Sequence, residues 1–304
     1  MKKLLLAFLL LSVSIQAQDY VDLVKIGYGQ TFNNDFEGTD NSTEVKTFEA
    51  DITFPIVLND KHAIITGGLF SRNNLQLFPQ AEFTSLYSST LKLGWAASWD
   101  EKWSTTLVAL PKIASDYKDI DGDDFYIGGI ALFKYQKKEN LIYKFGLYAS
   151  SEAFGVFSVP IFGWYYLSPS SQFEMDISLP VAGDINYTQG IFTYGLDYIG
   201  IGRSFNIDEN DANVYADLSS LEFAAYLQFN AVEKSLLLRA KFGYASNDYE
   251  VYAQGEKIDL GLAAFSFGDD RTQLNPTIRG GFFLRFEAIY RFNLSKQEDD
   301  SEKN

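Results

Sequence analysis

The chain has 304 residues, no cysteine, one histidine and a net charge of −15 at neutral pH. That composition excludes a disulfide scaffold, disfavours a zinc site and argues against nucleic-acid partners. Aromatic content is 16%, with 26 Phe and 19 Tyr, which is high for a soluble domain and suits a barrel with aromatic girdles.

Residues 1–17 read as a secretory signal peptide. Lys2 and Lys3 give a basic start, Leu4 to Leu11 form an apolar run, and Ala17 is the expected last residue removed, although Ile15 is not the small residue a cleavage site prefers. No Cys follows the run, so no lipoprotein anchor is expected. No later stretch approaches the roughly 18 apolar residues of a spanning helix. An exported chain of this kind is periplasmic, secreted or an outer-membrane barrel.

From Tyr20 onward, strand-like runs alternate with turn-rich segments. The short connections are residues 59–61, 100–102, 137–140, 168–172, 188–190 and 230–234. The longer ones are 30–43, 73–83, 115–124, 151–158, 206–215 and 247–280. Short turns on one side and long loops on the other predict a barrel with its short turns facing the periplasm. Within the runs, side chains alternate in kind. Leu91, Leu93, Trp95, Ala97 and Trp99 oppose Lys92, Gly94, Ala96 and Ser98. Likewise Tyr143, Phe145 and Leu147 oppose Lys144 and Gly146, and Phe173, Met175 and Ile177 oppose Glu174 and Asp176. Residues 105–113 are apolar on both faces and take their direction by continuity. The final run, FFLRFEAIYRFNL, puts Phe282, Leu284, Phe286, Ala288, Tyr290, Phe292 and Leu294 on one face and Arg285, Glu287 and Arg291 on the other. One face suits hydrocarbon and the other water.

The predicted fold is all-β, a transmembrane antiparallel up-and-down barrel over residues 18–294 with a polar tail at 295–304. The count is 14 strands, or 12 if residues 173–187 form one strand and a fold-back rather than two short strands. A soluble β-sandwich would also alternate, but its strands are usually shorter, about 5–6 residues. Bulky aromatics at the strand ends (Trp99, Trp103, Phe229, Tyr290) favour the membrane.

Four stretches, ITFPIVLND at 52–60, LPKIASD at 110–116, FGDDRTQLN at 267–275 and the closing IYRFNL, resemble an uncharacterised outer-membrane β-barrel family of gram-negative bacteria, grouped as a domain of unknown function. The resemblance covers nearly all of the mature chain. It implies a porin-like outer-membrane barrel and no activity, cofactor or site residue.

No catalytic constellation stands out. His62 follows a predicted short turn, where an imidazole is ordinarily solvated, so an enzyme is not expected. The acidic run DIDGDD (Asp119, Asp121, Asp123, Asp124) lacks the EF-hand spacing, with Gly122 misplaced and Ile130 where a bidentate Glu belongs. The candidate functional residues are lumen charges. Lys92, Lys112, Lys134 and Lys144 lie on consecutive predicted strands, followed by Glu174, Asp176, Asp197 and Glu222, then by Arg239, Lys241, Arg285, Glu287 and Arg291. A basic wall opposite an acidic one would set ion selectivity in an open pore, or pair across a filled lumen and close it. Asp269, Asp270 and Arg271, in the longest loop, are candidates for an inward-folding constriction. The expected role is a passive channel or small-solute transporter. The alternative is a structural or binding barrel whose acidic outer loops engage a partner or the surface lipid layer. The expected partners are outer-membrane lipid, the export and barrel-assembly machinery, and a small solute.

Overall fold

The computed structural model of the protein describes residues 20–208 and 213–293. The predicted signal peptide and polar tail lie outside them. In chain order the strands are β1 (Tyr20–Phe32), β2 (Asn34–Asp35), β3 (Ser42–Thr43), β4 (Lys46–Asn59), β5 (His62–Leu75), β6 (Thr84–Ser98), β7 (Trp103–Ser115), β8 (Phe125–Lys138), β9 (Leu141–Glu152) and β10 (Gly155–Leu167). Then follow β11 (Phe173–Leu179), β12 (Ala182–Gln189), β13 (Phe192–Ile207), β14 (Val214–Ala231), β15 (Leu236–Ala245), β16 (Asp248–Ala253), β17 (Leu260–Leu262), β18 (Phe265–Phe267) and β19 (Gly281–Asn293).

Fourteen of these form the wall, each antiparallel to the next. β1 pairs with β4 on one side and with β19 on the other, from Tyr20↔Asn293 to Phe32↔Phe282, which closes the ring. Closure leaves no strand without a neighbour on either side, so backbone groups along the paired stretches find partners without water. Side chains obey the period of two. On β14, Ser220, Glu222, Ala224, Tyr226, Gln228 and Asn230 are buried inside while Leu221, Phe223, Leu227 and Phe229 are exposed outside. On β19, Phe283, Arg285, Glu287 and Ile289 point inward, and Phe282, Leu284, Phe286 and Tyr290 outward. The outward belt continues through Leu91, Leu93, Leu107, Phe133, Phe145, Leu147, Phe162 and Leu196. So much exposed apolar surface on one molecule is suited to hydrocarbon rather than to water.

The structure settles the region around residues 173–187. It forms two strands, β11 and β12, joined at Pro180–Val181. They are far shorter than their neighbours, so the wall is low at this point. Two expected long loops are corrected. Residues 151–158 form no loop: β9 and β10 turn at Ala153–Phe154, because Ser151 and Val156 already pair across the hairpin. Residues 247–280 are not all loop either. β16 extends the wall beside the outer half of β14, from Val214↔Ala253 to Ser219↔Asp248, and β17 and β18 form a small hairpin. β15 and β16 are one strand interrupted at Ser246–Asn247, where Asn247 takes a positive φ of 51°.

At the long-loop end the ring collapses inward. β13 lies nearly opposite β7, yet Asn206 pairs with Ser115 in parallel, and the Asp116 N–H donates to the Asn206 carbonyl at 3.0 Å. An apolar cluster fills the space beneath, built from Phe36, Leu75, Phe205, Tyr215, Tyr249 and Ile278 with others around them.

Candidate functional site in the lumen

The inward face is polar, and most of its charges meet an opposite charge on a strand one or two places along the wall. Lys92 on β6 pairs with Asp51 on β4, and also donates to the Thr53 hydroxyl at 2.9 Å. Lys112 on β7 meets Glu152 on β9 at 2.5 Å. Lys144 on β9 meets Asp176 on β11. Lys134 stands directly across from Lys144 in the β8–β9 register. Asp176 is thus a favourable charge for both ammonium groups, although only Lys144 pairs with it directly. Opposed walls of single sign do not form. Three neutralising carboxylates were missing from the expected lumen charges: Glu49 and Asp51 lie on β4, where no lumen charge was expected, and Glu152 falls at the end of β9, in a stretch expected to be loop.

The remaining charges gather into two clusters. Glu287, nearly enclosed, meets Lys25 at 3.3 Å, Lys241 at 3.2 Å and Arg239 at 3.9 Å. Lys241 reaches Asp197 at 2.5 Å, and Arg239 lies 3.7 Å from Asp184 and 3.8 Å from Asp197. The Arg239 guanidinium stacks 4.0 Å above the Tyr226 ring, and its Nε donates to Gln228 at 2.9 Å. Nearer the long loops, Arg285 holds Glu222 at 2.9 Å and approaches Glu49 at 4.0 Å. A cavity of about 10 Å³, room for one water, opens between Glu49, Asn73, Arg203, Ser220, Glu222 and Asn247.

Two sets of contacts cross the lumen. At the short-turn end, the Tyr20 hydroxyl on β1 donates to Glu174 on the nearly opposite β11 at 2.6 Å. Arg291 braces this bridge: it packs 3.5 Å from the Tyr20 ring and binds Asp22 at 2.5 Å. At the other end, Arg203 on β13 donates to the Ser71 hydroxyl on β5 at 2.9 Å, and the Ser204 N–H donates to Glu152 at 2.9 Å. Both ends are thus bridged by named side chains. These bridges were not legible in the sequence, since alternation gives the face a residue occupies but not which strand stands opposite.

The segment between β16 and β19 folds over the long-loop end. Arg271 is its anchor: it binds Asp269 at 2.9 Å and Asp217 of β14 at 3.0 Å, donates to the Tyr215 hydroxyl at 3.1 Å, and stacks 3.9 Å from the Tyr252 ring. Asp270 is exposed. Asn275 is a second anchor. Its Nδ2 donates to the carbonyls of Leu77 at 3.2 Å and Tyr249 at 2.9 Å, and its Oδ1 accepts the Val251 N–H at 2.8 Å.

The acidic run folds as one 3-10 turn, Gly122–Asp124, closed by its own carboxylates. Asp121 accepts the Asp123 N–H at 2.8 Å and Asp124 accepts the Asp121 N–H at 2.9 Å. Burial pushes the Asp124 carboxyl above its ordinary range. Burial, then the surrounding Asp124, Asp116, Asp121 and Asp119, do the same to Asp208. Among the described residues no group of three or more His, Cys, Asp or Glu is placed to hold a metal ion. His62 opens β5, its N–H donating to the Asn59 side chain and its ring stacked 5.6 Å from that of Trp95.

Residues 13–244 match a family described as a domain of unknown function, DUF6268. The match stops short of the segment that folds over the long-loop end. No curated protein is significantly similar in sequence. Among solved structures, the chain is similar to an outer-membrane channel from Pseudomonas putida F1, with a TM-score of 0.42, 13% identity and coverage of 91% of this chain and 97% of that one. It is similar also to the NanC porin (TM-score 0.36, 8% identity, 88% and 98% covered) and to a BenF-like porin from Pseudomonas fluorescens Pf-5 (0.32, 10%, 92% and 100%). The barrel itself rests on the strand pairing above.

Proposed function

The chain belongs to the family described as a domain of unknown function, DUF6268, and we propose that its barrel is a passive channel or small-solute transporter of a gram-negative outer membrane, held closed in this state. The observation that carries the reading is the inward face. Charged side chains on nearly every strand are costly to enclose, and a barrel serving only as a membrane anchor could fill its interior with apolar residues at no such cost. Here apolar filling is concentrated at the long-loop end, under a segment pinned by Arg271 and Asn275. Ion pairs that run along the wall leave the lumen hydrated once the bridges part. No residue is assigned a catalytic role, and a small solute is the expected cargo.

The test is planar-bilayer recording on the purified protein and on a variant in which residues 255–279 are replaced by a short Gly-Ser linker. Rare openings in the parent and frequent, larger ones in the variant support the reading. An ordered variant barrel that never conducts would sink it.

The sealed long-loop end favours a second reading, a structural or binding barrel whose acidic loops meet a partner or the surface lipid layer. It predicts that the same replacement leaves conductance at zero and instead weakens the cell envelope.

A further inference from the structure

We infer that the β17–β18 hairpin of the long loop is a piece of the membrane-facing wall, and that Leu260, Leu262, Phe265 and Phe267 lie against the acyl chains of the bilayer. This stands whether or not the lumen conducts.

The low stretch of wall makes the case. β11 has 7 residues and β12 has 8, against 13 in β10 and 16 in β13. At roughly 3.3 Å per residue and a tilt near 40°, β11 rises only about 15 Å, short of an apolar band about 25 Å tall. Above Pro180–Val181 a gap therefore opens between β10 and β13 at membrane depth. Val156 on β10 stands about 20 Å above Trp164 by the same reckoning, still inside that band. A backbone edge left unpaired there would cost several kcal/mol per group.

The hairpin meets that edge. β17 runs parallel to β10, with Phe157↔Gly261 and Ser158↔Leu262 in register. The Ala263 N–H donates to the Ser158 carbonyl at 2.9 Å and the Ile258 N–H to the Phe154 carbonyl at 2.9 Å. Because β10 descends from the long-loop end, a parallel β17 descends with it, and the Ala263–Ala264 tip points down into the gap. Register then fixes the faces. Phe157 points inward, where a Cβ on either Gly202 or Gly261 would lie 2.9 Å from its ring. Leu262 shares the outward face of Val156, Ser158 and Phe162. Leu260↔Phe267 and Leu262↔Phe265 put both phenylalanines on that same face. Phe265 is 68% exposed and Phe267 51%, beside Val156 at 55% and Phe162 at 60%. Charge follows the same plan. Residues 260–267, LGLAAFSF, carry none, while Lys257, Asp259, Asp269 and Asp270 sit on the arms above.

The chain has no cysteine, so single cysteines report cleanly. Phe265→Cys and Phe267→Cys would be made in the full chain, folded into vesicles and checked for heat-modifiable mobility. Leu284→Cys on the outward belt and Asp119→Cys in the exposed acidic turn are the references. Modification by a membrane-impermeant maleimide is expected to be at least about tenfold slower at 265 and 267 than at 119, and a bimane label there is expected to be quenched by brominated acyl chains as it is at 284. Modification at the rate of position 119, without quenching, would overturn the inference. Should one variant fail to fold, the other still reports the same face.

Discussion

Arg271 and Asp124 show how single residues set the state of the long-loop end. Arg271 satisfies two carboxylates, a hydroxyl and an aromatic face. Its replacement by Ala leaves Asp217 enclosed without its cation. We expect a loss of about 2 kcal/mol, below the roughly 3–5 of a fully enclosed pair because both carboxylates keep some water. Limited trypsin digestion reads it: cleavage after Lys257 and Arg279 should quicken in Arg271→Ala, and unchanged cleavage would remove Arg271 as the anchor. Asp124 works in the opposite sense. Its carboxyl and that of Asp208 are raised by burial, so the folded cluster holds protons that the unfolded chain releases. Stability from this cluster is complete below the ordinary Asp value of 3.8 and is lost as pH rises through the raised values. Corrected for its intrinsic dependence on pH, amide exchange over residues 116–124 should therefore slow on acidification from neutral pH. Asp124→Asn, which keeps the acceptor for the Asp121 N–H and deletes the charge, should slow it at neutral pH and flatten the pH response. An unaltered profile would show that the turn ignores this carboxyl.

At the scale of elements, close approach of neighbouring strands is as decisive as their alternation. Gly163 of β10 faces β11, and a Cβ there would stand 1.9 Å from the Ile177 carbonyl oxygen. Backbone cannot move aside as a side chain can. Gly163→Ala should cost at least about 1–3 kcal/mol and lower the temperature at which the barrel loses its compact electrophoretic form. An unchanged transition would mean that β11 shifts freely. Much of this element map was legible beforehand. Bulky residues at one parity and Lys, Glu or Gly at the other gave the faces of β6, β9, β11 and β19, because a half-wet wall imposes a period of two. The failures have physical causes too. Ser151–Ser158 read as a loop because Gly155 and small polar residues suggest turns, yet a two-residue hairpin needs only that much. Asp248–Ala253, YEVY at its centre, is buried on both faces where β16 meets the apolar cluster, so alternation vanished and the run merged with a loop. The hairpin at 260–267 is apolar at every position but one serine, which carries no period at all.

Taken whole, the molecule balances its charges locally, and that bears on what an opened lumen would select. Lys92, Lys112, Lys144, Lys241, Arg239, Arg285 and Arg291 each have a carboxylate within reach. Fixed charges that cancel in pairs leave little net field along the axis, so the linker variant that lacks residues 255–279 should discriminate only weakly between cations and anions. Among the described lumen lysines Lys134 is the exception. It sits opposite Lys144 in register, and the two share Asp176. Like charges directly opposite on neighbouring strands are destabilising, so Lys134→Met should leave the Lys144–Asp176 pair intact and stabilise the barrel by up to about 1 kcal/mol. In the linker background the same substitution removes a positive charge that no direct ion pair offsets, and the reversal potential in a potassium chloride gradient should move toward the potassium value. A reversal potential that stays put while conductance persists would mean that ions bypass the β8–β9 face, and that the path through the barrel follows the opposite side, past Arg285 and Glu222.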